Sequence, residues 1–63
     1  MLPHQERVIE EARELKEKIV KLGSFLCSET FEQLKKDEQL RLHLQLTAMQ
    51  LYLNVLEQRI AAF

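Results

Sequence analysis

Turn-formers are nearly absent from this sequence. Its 63 residues hold one glycine, Gly23, and one proline, Pro3. So few chain-reversing residues exclude a fold built from many short strands and favour long helices. Cysteine is as scarce: Cys27 stands alone, so no intrachain disulfide can form. Cys27, His4 and His43 lack the tight spacing of a zinc site, and neither a metal nor a cofactor is expected. Tryptophan is missing, and Tyr52 is the sole tyrosine. The net charge is only −1, without the clustered basic surface of a nucleic-acid binder, which argues against direct DNA or RNA binding. No apolar run is long enough for a membrane span. The first residues carry no apolar h-region or cleavage site, so the expectation is a soluble, cytoplasmic protein without a signal peptide.

What is present is helix-forming sequence with a strict apolar rhythm. Val8, Ala12, Leu15, Ile19, Leu22 and Leu26 recur at alternating steps of four and three. That is one apolar seam on a helix, predicted over about 4–27, with Pro3 tolerated in the first turn. Gly23 interrupts this run and leaves the end of the helix open. The remaining positions are charged, and Glu14–Lys18 and Glu17–Lys21 have the favourable spacing for exposed pairs.

Residues 28–37 read as the connection. Ser28 is a candidate N-cap for a short helical turn at about 29–35, with Phe31 and Leu34 facing inward. Asp37 is a candidate cap for the next helix, with Glu38 in its first turn.

The stretch QLRLHLQLTAMQLYLNVL, residues 39–56, poses the main question, because Leu40, Leu42, Leu44 and Leu46 alternate as in a half-buried strand. Helix wins on composition and length. Leu, Met, Gln and Ala are helix formers, and no turn residue interrupts 38–63, far beyond the usual strand. The second helix is therefore predicted over about 38–62. Each residue turns about 100°, so a two-residue step turns about 200° and the alternation divides between opposite sides. Leu42, Leu46, Met49, Leu53, Leu56, Ile60 and Phe63 form one seam. Leu40, Leu44, Leu51 and Val55 form a second face, with Ala48 and Ala62 near its edge. The first helix can cover only one of them. A core this small rarely supplies more than about 3–5 kcal/mol, and an exposed apolar stripe marks an interaction surface. The expected architecture is all-α: one two-helix antiparallel hairpin with a short helical turn in the connection, assembling into a helical-bundle homo-oligomer.

Polar residues of the second helix sort into two flanks. His43, Thr47, Gln50, Asn54 and Glu57 lie on one, where His43 is read as exposed. Arg41, Gln45, Tyr52 and Arg59 lie on the other. Two guanidiniums and a phenol along one stripe can grip a phosphate and stack on a base. Equally, Arg41 and Arg59 can pair with Glu11 or Glu14 of the first helix, leaving the Tyr52 hydroxyl in water. No nucleophile elbow, phosphate loop or metal-ligand motif is present, and Cys27 reads as a buried apolar filler, so no catalytic residues and no enzymatic activity are expected.

The segments RVIEEARELKEKIVKLGSFL, SETFEQL, EQLRLHLQLTAMQLYLNVL and RIAAF resemble, over essentially the whole chain, a family of short helical proteins encoded by tailed phages and prophages. The shared pattern is a charged first helix, a short aromatic turn and a Gln-Met-Tyr-Leu second helix ending in Arg-Ile and Phe. Gly23 departs from it. The resemblance brings no catalytic residues; it implies a small accessory protein in a bacterial cytoplasm, in the style of oligomeric anti-defence proteins that sequester cyclic nucleotides. Two working expectations follow. The first is a stoichiometric binder of a small anionic, nucleotide-type ligand through Arg41, Gln45, Tyr52 and Arg59. The second is a protein–protein module whose Leu40, Leu44, Leu51 and Val55 face docks on a host protein. A purely structural self-associating subunit is the remaining alternative.

Overall fold

The computed structural model describes residues 1–63 and contains three helices and no strand: α1 (Pro3–Leu26), α2 (Glu29–Glu32) and α3 (Lys36–Ala61). α1 and α3 pack against each other as an antiparallel hairpin, giving a rod of 46 × 14 × 13 Å. The expected seams meet along its length except at Phe63, which lies beyond the end of α3 and is exposed. Val8, Ala12 and Leu15 of α1 are buried with Leu56 of α3, and Ile19, Met49, Leu53 and Ile60 pack against them half-buried. Leu56 is the most enclosed side chain, with no exposure at all.

The closed end is built by aromatics and local caps. Ser28 caps α2 as its sequence position requires: its hydroxyl accepts the Phe31 N–H at 3.2 Å and donates to the Phe25 carbonyl at 2.6 Å. Phe31 is buried and packs edge-on against Phe25 on one side and His43 on the other, with ring centres 6.1 and 5.5 Å away. His43 is exposed, as expected, but one edge of its ring also helps close the hairpin.

Several boundaries differ from the sequence reading. α1 runs through Gly23 with ordinary helical backbone and stops at Leu26. Cys27 forms its C-cap and is exposed, so it is not an apolar filler. α2 is shorter, ending at Glu32, because the chain extends again at Lys35. α3 starts at Lys36 rather than near Glu38, with Lys35 at the N-cap, so Asp37 sits inside the first turn beside Glu38 instead of capping. Both carboxylates still face the positive end of the helix dipole. Gln39 takes over the linking role. Its side-chain amide donates to the carbonyls of Leu34 at 2.9 Å, Phe31 at 3.1 Å and Glu32 at 3.3 Å; the Phe31 carbonyl also takes the Leu34 N–H, whereas those of Leu34 and Glu32 have no backbone donor.

The ion pairs of α1 also differ. Arg13 gathers both Glu10 and Glu17, while neither Glu14–Lys18 nor Glu17–Lys21 forms. One planar fork reaches both neighbouring turns where a lysine offers a single point charge. Hydrogen bonding from Arg13 holds the Glu10 carboxyl below its usual range. These pairs are exposed and contribute little to stability.

Candidate ligand-binding flank

α3 sets three longitudinal zones side by side. The inner seam faces α1. The opposite face carries Leu40, Leu44, Leu51 and Val55, which are 60%, 60%, 64% and 44% exposed. Between them, on one side, runs the flank of Arg41, Gln45, Tyr52 and Arg59, all exposed. The helix period alone brings these four onto one stripe, since steps of four and seven residues return to nearly the same direction.

Their partners are specific. The Arg41 guanidinium donates to Glu38 of its own helix at 2.8 Å. Neither Arg41 nor Arg59 pairs with Glu11 or Glu14, so the cross-helix ion pairs considered from sequence do not form. Glu11 instead accepts a hydrogen bond from the Tyr52 hydroxyl, which is therefore not left to water. That bond pushes the Tyr52 pKa above its ordinary value of 10.0, because the neutral phenol is the donor, while the nearby positive charge of Arg59 acts in the opposite direction. Gln45 makes only a weak contact with the Met49 sulfur, at 3.9 Å. Arg59 forms no ion pair; it lies in the last turn of α3, where its charge complements the helix dipole.

The Tyr52–Glu11 bond marks the register that the buried seam sets across the hairpin. Moving seven residues in opposite senses from it, the antiparallel arrangement brings Lys18 level with Gln45 and His4 level with Arg59. Lys18 thus joins the flank from α1, carrying a charge that pairs with no carboxylate. The sequence reading missed it. The signal was the shared seven-residue step of His4, Glu11 and Lys18, hidden because the register between helices is not written in either helix alone.

Chemically, the flank offers cations that form no ion pair at Arg59 and Lys18, an amide at Gln45, an aromatic face at Tyr52 and the Glu11 carboxylate held on the Tyr52 hydroxyl. The hairpin surface has no enclosed pocket, so the flank is open on one side. The sequence pattern of the family described as Sequestin matches residues 2–62. The chain belongs to the Sequestin family. The matched stretch contains both long helices and the whole flank. No curated protein and no solved structure compared with this Sequestin-family chain matches it. No helix is long and apolar enough to cross a membrane.

Proposed function

We propose that this Sequestin-family protein acts by stoichiometric binding, without turnover, and that it sequesters a small anionic ligand of the cyclic-nucleotide type. The observation that carries the reading is the Arg59 guanidinium, which forms no ion pair, on the same exposed stripe as Tyr52. The family description is compatible with a sequestering role. An arginine fork matches two phosphate oxygens at once. Arg41 and Arg59 would hold phosphates, Gln45 would donate to a sugar or base, and the ring of Tyr52 would stack on the base. Arg41 is held only by an exposed pair with Glu38, which a phosphate can displace at little cost. In the cytoplasm of an infected bacterium, a phage-encoded binder of this kind would lower the free concentration of an immune alarm nucleotide.

Tyr52 gives the test its readout, because it is the only tyrosine and there is no tryptophan. Titration with cyclic dinucleotides and linear mononucleotides should change tyrosine fluorescence, with calorimetry giving affinity and stoichiometry. Arg41→Ala and Arg59→Ala should each weaken binding at least about tenfold, the loss of roughly 1.4 kcal/mol expected when a charged hydrogen bond is removed. Equal binding by both variants and the parent would show that the flank is not the site. The exposed Leu40, Leu44, Leu51 and Val55 favour a second reading, docking on a host protein by helix-in-groove recognition. Under that reading Leu44→Glu abolishes capture of the host protein while Arg59→Ala does not.

A further inference from the structure

The outer face of α3 has a pattern of its own. Leu40 and Leu51 are eleven residues apart, as are Leu44 and Val55. Between the two pairs lie the small residues Thr47 and Ala48. The stripe reads the same in both directions about the point between Thr47 and Ala48: Leu44 mirrors Leu51, and Leu40 mirrors Val55. A self-complementary stripe is what an isologous two-fold contact requires, because each patch must meet a copy of itself.

The geometry points to a second copy of this chain, docked α3 against α3 in antiparallel orientation about a two-fold axis at Thr47 and Ala48. In this register Leu44 packs on Leu51 of the second copy and Leu40 on Val55 of the second copy. The small residues at the axis let the backbones approach. The charges agree with this occupant. Asp37, which forms no ion pair within the hairpin, falls opposite Gln58 and next to Arg59 of the second copy, where opposite charges come together. The available area is adequate. The whole face of 46 × 14 Å is on the order of 600 Å² per copy, so full use of its length reaches the lower end of a specific interface. The demand is also present, since a single hairpin buries only Val8, Ala12, Leu15, Phe31 and Leu56.

The same two-fold bears on the ligand, and this part rests on the proposed function. A two-fold perpendicular to both α3 helices keeps the Arg41–Gln45–Tyr52–Arg59 flanks of the two copies on one side of the dimer. Tyr52 of each copy then neighbours Gln45 of the other. The open flank of one hairpin becomes a floor with two equivalent halves, which suits a ligand with two phosphates and two bases.

The test reads mass and proximity before any ligand is added. The native chain, by sedimentation equilibrium, should have the mass of two chains, and Leu44→Glu the mass of one, with helical circular dichroism retained. In a Cys27→Ser background, Ala48→Cys should cross-link to itself under mild oxidation and Leu40→Cys should not, because the antiparallel register places the two Leu40 positions far apart. A single-chain native protein overturns the proposal. So does a two-chain Leu44→Glu variant, or self-cross-linking by Leu40→Cys as efficient as that of Ala48→Cys, which would mean parallel helices. Cyclic dinucleotide titration of Leu44→Glu then addresses the shared floor: a loss of at least about tenfold supports it, and undiminished affinity in a single-chain variant overturns it. The Arg59→Ala titration separately tests the ligand reading, because that variant should keep the two-chain mass.

Discussion

The two apolar faces of α3 are made of the same residue types and have opposite fates. On the inner face, Leu42, Met49 and Leu56 follow a seven-residue step, as do Leu46, Leu53 and Ile60, and all are half-buried or buried. On the outer face the step is eleven, and Leu40, Leu44, Leu51 and Val55 stay exposed. Seven residues fall short of two helical turns by about 20°, and eleven overshoot three turns by a similar amount. The two stripes therefore drift in opposite senses around α3, and one partner helix following the seven-residue seam cannot also follow the other. Leucine content alone does not say which leucines form the core. The period of each stripe and the presence of a helix to match it do.

The strongest way to break this contrast is Leu56→Ala. Removing the fully enclosed side chain should cost about 2–5 kcal/mol, enough to unfold so small a hairpin near room temperature, as followed by circular dichroism. Retention of cooperative melting near the parent Tm would mean that the α1–α3 seam is not the core. At the opposite face, Leu44→Ala should lower Tm by an amount that depends on protein concentration, because it acts through association. The loss at Leu56 should be independent of concentration. Equal behaviour of the two variants would erase the distinction between the faces.

Smaller effects sharpen the account of the closed end and the flank. Gln39→Ala should destabilise by about 1 kcal/mol, measured by urea unfolding, because it leaves the Glu32 and Leu34 carbonyls without their donor. Gly23→Ala should stabilise by about 0.5–1 kcal/mol. The position is helical, a Cβ there meets nothing within 4 Å, and glycine carries an entropic cost in mid-helix. The smallest change is spectroscopic. The Tyr52 phenol should titrate above 10.0, and Glu11→Ala should bring it down. The sign follows from the raised pKa. The Tyr52–Glu11 bond contributes fully below the unfolded pKa and is lost as pH rises through the folded one. A tyrosinate absorbance curve that does not move with Glu11→Ala would mean that Tyr52 and Glu11 are not bonded across the hairpin.

Most of the fold was legible in the sequence, because helix period, scarce turn-formers and a cap at Ser28 are local signals. Both long helices, the inner seam and the closing role of Phe31 follow from them. The start of α3 was less legible. Asp37 looks like a cap by type, but the extended backbone at Lys35 and the reach of Gln39 back to α2 decide the boundary, and both depend on tertiary geometry. The flank was half legible. Its α3 members lie on one stripe by period alone, whereas the Tyr52–Glu11 bond and the level placement of Lys18 depend on the register between helices. Arg13 likewise outcompeted the lysine pairs that spacing favoured, because a planar fork reaches two carboxylates.

Native mass spectrometry of the protein purified from bacteria that make a cyclic dinucleotide, without prior denaturation, tests the account most directly. It reports chain number and retained ligand together. The account predicts a species of two chains carrying additional mass in the nucleotide range, with the added mass lost in Arg59→Ala while the two-chain state remains. A bare single chain, in parent and variant alike, would contradict both the binding flank and the paired outer faces.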